Sequence, residues 1–185
     1  MTYLPYEAWL RALEPDQRNT AEKLLKRFQE LGADEPEERM RSEMEEGIPQ
    51  LARFLFVRSV LTNHVNQWKV EPQLWINACK GSPEHNLYAP FPDVGPALTR
   101  MLEAGISNED IASVARMVAY ATSWDVLHQI DSGRENETDG DAPGWRLMET
   151  NANGQLTNRE LGGLHEDMLT DMERLLSEED NLDEN

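Results

Sequence analysis

Four histidines, a single cysteine and a large surplus of carboxylates are the groups through which this chain could do chemistry. His64, His85, His128 and His165 fall in no zinc-protease spacing and form no compact ligand pair, so no metal site is expected from them. His128 precedes Asp131 by one helical turn, a separation at which a carboxylate can orient an imidazole for proton transfer. His165 opens the run His165-Glu166-Asp167. Cys79 is followed by Lys80, but a thiol becomes a nucleophile only where its surroundings lower its pKa, and a lone cysteine otherwise packs as a small apolar side chain. Nucleophile elbow, phosphate-binding glycine loop and dinucleotide fingerprint are all missing from the sequence. No catalytic residue, cofactor or metal ligand is therefore assigned. A catalytic or small-ligand site would have to be assembled from scattered groups such as His64, His85, His128 and Asp131.

The most specific local pattern runs from Glu149 to Glu160: Glu-Thr-Asn-Ala-Asn-Gly-Gln-Leu-Thr-Asn-Arg-Glu. Over these residues the chain resembles the calcium loop of EF-hand proteins. The resemblance implies oxygen ligands at Glu149, Asn151, Asn153, Thr157 and Glu160, the sharp turn at Gly154 and the apolar position at Leu156. Two features depart from it. The first ligand position holds Glu149 rather than Asp, and Pro143-Gly144 leaves little room for an incoming helix. The period before the loop is two, with Trp145, Leu147 and Glu149 on one face and Arg146, Met148 and Thr150 on the other. That alternation favours a β-hairpin turning at Asn151–Gly154 and returning through Gln155–Thr157; a weak calcium loop is the alternative.

The elements that must position such groups are mostly helical. Asp16 can cap a helix carrying Ala21, Leu24, Leu25, Phe28 and Leu31 on one face and ending at Gly32, and a shorter helix with Trp9, Leu10 and Leu13 precedes it. Residues 34–46 read as a solvated helix or connector because acids crowd them. Residues 50–68 read as one strongly apolar helix through Leu51, Phe54, Leu55, Val57, Leu61, Val65 and Trp68. Pro72, Gly81, Pro83, Pro90 and Pro92 predict an irregular segment over 69–92, held to the core by Leu74, Trp75 and Ile76. Asp93 opens the next helix, Gly105 ends it, and Ser107 with Asp110 forms a capping box for another. That second helix carries Ile111, Val114, Ala115, Val118, Thr122, Val126, Leu127 and Ile130 as its inward stripe. Thr157 with Glu160 can cap a last helix whose apolar face is Leu161, Leu164, Met168, Leu169, Met172, Leu175 and Leu176. The fold expected is mainly α: a single-domain bundle over 1–176 of about six helices, with one small C-terminal hairpin and an acidic disordered tail over 177–185.

Composition narrows the partners. The 185 residues carry a formal charge of −18, which repels phosphate and makes nucleic acid and anionic membranes poor targets. With one cysteine no internal disulfide can form, and the first residues lack the basic and apolar runs of a secretion signal, so a cytoplasmic protein is the expectation. Of the five tryptophans, Trp75 lies in the segment 69–92 together with Asn77, His85 and Tyr88, and these four are the expected interaction surface. The sequence favours a non-enzymatic interaction module, of immunity or adaptor type, that binds another protein of basic character. The alternatives are an enzyme or small-ligand protein with its site near 69–92, and the calcium loop at 149–160.

Overall fold

A computed structural model describes residues 5–81, 91–133 and 143–172. The fold is mainly α with a small antiparallel hairpin toward the C-terminus, as the periodicities predict. In chain order come α1 (Tyr6–Ala12), α2 (Pro15–Glu30), α3 (Pro36–Glu46), α4 (Gln50–Val60), a π turn (Leu61–Val65), a 3-10 turn (Asn66–Lys69), α5 (Pro72–Lys80), α6 (Val94–Glu103) and α7 (Asn108–Ser132). The strands β1 (Met148–Thr150) and β2 (Leu156–Glu160) follow, and residues 164–172 form a final helix, α8. No helix among the described residues is long and apolar enough to cross a membrane. By its contacts the chain divides into two compact units, one of Met1–Arg58 with Val126–Asn185 and one of Ser59–Asp125.

The first unit is built on Trp9, Ala21, Phe28, Met40 and Phe54, with Phe28 and Phe54 edge to face at 6.2 Å. Pro15 divides α1 from α2, and Arg18 then reaches back to accept duty for the open end of α1: its guanidinium donates to the carbonyls of Leu10, Arg11 and Leu13. The cap of α2 is Glu14, one residue before Pro15, and not Asp16 as the sequence suggests; the Glu14 N–H donates to Gln17 Oε1. Residues 34–46 are not a solvated helix, because α3 buries Met40 and Arg41, the latter with its guanidinium 5.1 Å from the Trp9 ring. Ion pairs continue inward where Arg39 meets Asp171 at 3.3 Å and Arg53 meets Asp167 at 2.9 Å. Burial outweighs the nearby Arg53 and Arg39 charges and leaves the Asp167 carboxyl above its ordinary range.

The hairpin pairs Met148 with Glu160 and Thr150 with Leu156, with an irregularity between them and Asn158 at φ 63°. Its turn is held by Asn151, whose Oδ1 accepts from the N–H groups of Asn153 and Gln155, while Gly154 takes φ 75°. The second strand runs on to Glu160, so Thr157 and Glu160 do not cap the last helix. Helix α8 starts at residue 164 instead, with Leu164, Met168 and Met172 buried and Leu169 exposed. The expected positions Leu175 and Leu176, and the acidic tail 177–185, lie outside the described residues.

The second unit is built on Ile76, Cys79, Leu98 and Ile111. The apolar stretch after Phe54 does not continue as one α-helix: it widens to a π turn at Leu61–Val65 and tightens to a 3-10 turn at Asn66–Lys69. Nor is 69–92 irregular throughout, for Pro72 occupies the first turn of α5, where a missing N–H costs nothing. Helices α5 and α6 meet closely at Gly95, where a Cβ would stand 2.7 Å from the Cys79 carbonyl oxygen. Ser107 caps the start of α7 as expected: its Oγ accepts from the Asp110 N–H at 3.0 Å and donates to Asp110 Oδ2 at 2.7 Å.

Candidate functional site

Helix α7 carries the largest departure from the sequence reading. Ile111, Ala112 and Arg116 are buried, whereas Val114, Met117 and Val118 are 54%, 59% and 52% exposed. Four of the residues expected to face inward, Val114, Val118, Thr122 and Val126, therefore face solvent. The buried face is narrower and made of smaller groups than the stripe suggests. It also admits a cation, Arg116, whose Nε donates to Asn66 Oδ1 at 2.9 Å. At 100° per residue, Asp110, Val114, Met117, Val118, Ala121 and Asp125 fall within one helical face, and all are exposed. The stripe is thus apolar in its middle and acidic at both ends. Between Glu109 and Asp125 the only basic residue is the buried Arg116.

The expected interaction surface is dispersed differently. Trp75 is half-buried on α5, edge to face with Trp68 at 5.2 Å, and its indole N–H donates to the Trp68 carbonyl at 3.0 Å. Asn77 is exposed and its Oδ1 accepts from Gln73 Nε2. His85 and Tyr88 lie outside the described residues. Exposed apolar side chains nonetheless flank Trp75 in sequence, at Val70 and Leu74. Cys79 is buried, and burial pushes its thiol pKa up, the opposite of what a nucleophile requires.

In the first unit the titratable groups converge at the end of α7. Asp131 Oδ2 accepts from the His165 backbone N–H at 3.0 Å and lies 2.6 Å from His165 Nδ1. A carboxylate facing the first turn of α8 is favoured there by the open N–H groups, and this contact does the capping that the sequence assigns to Thr157. His128 packs its ring edge to face against His165 at 4.9 Å. The carboxylate that the spacing offers to His128 is thus engaged by His165, a partner 34 residues away. His64 belongs to the other unit, where its carbonyl accepts from the Trp68 indole. Asp131 also lines a cavity of about 570 Å³ with Ser132, Gly133, Trp145, Arg146 and Glu160.

Of the residues that a calcium loop would use, Glu149, Asn151, Thr157 and Glu160 have their side-chain oxygens engaged by other groups of the protein. Glu149 accepts from Arg159 at 2.5 and 2.7 Å and from Thr157 Oγ1 at 2.5 Å; Glu160 pairs with Arg146; Asn151 Oδ1 holds the turn. Burial alone would raise the Glu149 pKa, but these hydrogen bonds and the Arg159 charge together bring it below its usual value. No group of three or more His, Cys, Asp or Glu side chains poised around a metal site occurs among the described residues. Set against known proteins, the chain matches no family model, no curated protein and no solved structure, so its site rests on its own residues.

Proposed function

We propose that the protein is an interaction module that receives an apolar helical segment of a basic protein partner on the exposed face of α7. The observation that carries this reading is the group Val114, Met117 and Val118, each more than half exposed on one helix face. Scattered apolar side chains are ordinary on protein surfaces; three adjacent ones bounded by Asp110 and Asp125 form a stripe of the kind that takes an amphipathic helix. A second copy of the chain is the poorer occupant, because two bodies of charge −18 repel. Covering these three side chains contributes about 1 kcal/mol each, so complementary charge serves mainly to speed encounter and to choose the partner.

A labelled Leu/Lys amphipathic helical peptide serves as the probe. Val118→Glu adds a negative charge, so purely electrostatic attraction would be strengthened by it, whereas docking on the stripe is weakened about tenfold or more. Binding by wild type that falls with added salt and is lost in Val118→Glu supports the reading. Equal or tighter binding by the variant overturns it.

A further inference from the structure

The exposed face of α7 carries one side chain whose polarity can be changed after folding. Met117 is 59% exposed, and Val114 and Ala121, one turn to either side of it on the same face, are exposed as well. Of the other described methionines, Met40, Met168 and Met172 are buried and Met44, Met101 and Met148 are half-buried. Met1 lies outside the described residues. A thioether is oxidised where an oxidant reaches its sulfur, so exposure ranks Met117 ahead of the other six. The competing sulfur, Cys79, is 3% exposed, and burial raises its thiol pKa and keeps it unreactive. A neutral hydroperoxide is not turned away by a charge of −18, as an anionic oxidant is.

Position gives this chemistry a consequence. Met117 lies in the middle of the apolar stripe, beside Val114 and Val118, with Asp110 and Asp125 toward the ends. A sulfoxide there places a polar acceptor on the part of the face from which a docking helix must exclude water. Met117 is not part of the core built on Ile76, Cys79, Leu98 and Ile111, so the change falls on the face and not on the packing beneath it.

We propose that Met117 is a reversible oxidation site at which a hydroperoxide turns the α7 face from apolar to polar and releases a docked helix. The modification site stands on exposure, whereas the release rests on the docking function proposed above. In the forward step the O–O bond breaks, one oxygen atom passes to the Met117 sulfur, and water or an alcohol leaves. The thioether is oxidised and the peroxide reduced. In the return step a methionine sulfoxide reductase removes that oxygen as water while two thiols become a disulfide.

The test begins with the full chain treated with hydrogen peroxide, quenched with free methionine and mapped by peptide mass spectrometry. The first oxygen is expected on Met117, about fivefold or more ahead of Met44, Met101 and Met148 and further ahead of the buried methionines. Unfolding in urea removes that ranking. Oxidation of any of the six as fast as Met117 in the folded chain, or a ranking that survives in urea, overturns the site. The Leu/Lys helix is expected to bind the oxidised chain about fivefold or more weakly, with binding restored by dithiothreitol and the reductases for both sulfoxide epimers. Met117→Leu, compared only with itself, binds equally before and after peroxide. Unchanged binding by a chain oxidised at Met117, or an equal loss in treated Met117→Leu, overturns the release. Failure of the untreated chain to bind the helix overturns the docking function and the release with it, while the peptide map still decides the modification site.

Discussion

Glu149 shows how one residue's environment decides between two chemistries that its sequence pattern leaves open. Asn-rich loops with acids at both ends offer oxygens to a cation, but the same oxygens can satisfy arginines nearer at hand. Here Arg159 bridges Glu149 and Glu43, at 2.5 and 3.0 Å, and ties the hairpin to α3. The depressed Glu149 pKa has a definite linkage consequence. Its contribution to stability is fully present above the unfolded carboxylate value of about 4.3 and is lost as pH falls through the lower folded value. Glu149→Gln should therefore cost about 1–3 kcal/mol near neutral pH, and the gap from wild type should close in acid; denaturant midpoints across pH measure both. Asp167 has the opposite sign: its raised pKa makes its contribution greatest in acid and smaller as pH rises through the folded value.

At the scale of elements, the two faces of α7 should respond to mutation in opposite ways. Ile111 is 5% exposed and packs with Ile76, Cys79 and Leu98, so Ile111→Ala should cost about 2–5 kcal/mol. Val118→Thr removes no buried contact and should stay within about 0.5 kcal/mol, both read by chemical denaturation. Periodicity placed the helix and its Ser107 cap correctly but took in too wide a face, because a stripe of β-branched residues reads as inward whether or not a core covers it. The core side keeps Ile111 and Leu127 of that stripe and adds Ala112 and the buried Arg116, and no spacing rule singles out an arginine for burial when its acceptor, Asn66, lies 50 residues earlier. The hairpin was legible because Asn151 and Gly154 have turn chemistry in their own side chains or backbones. The Asp131–His165 contact was not, since a cap supplied from another helix leaves no mark near the helix it caps. Likewise Pro72 reads as a breaker until its place at the start of α5 is known.

At the scale of the whole chain, neither boundary between the two compact units is marked by composition, because Arg58 falls within α4 and Asp125 within α7. The mainly helical class and the C-terminal hairpin stand where periodicity and turn residues put them, whereas the bounds of α4, α5 and α8 do not. What no total could reveal is which apolar residues are left uncovered. The stripe on α7 belongs to the smaller unit, and the charge of −18 discourages its burial by a second copy of the same chain. The most direct measurement follows the methyl resonance of Met117, assigned through Met117→Leu, while a Leu/Lys amphipathic helix is added. Docking on α7 shifts Met117 saturably and leaves the buried Met40 and Met168 methyls in place, with no comparable effect from a Leu/Glu helix. An unmoved Met117, or the same shift with the acidic helix, would contradict the assignment of α7 as the receiving surface.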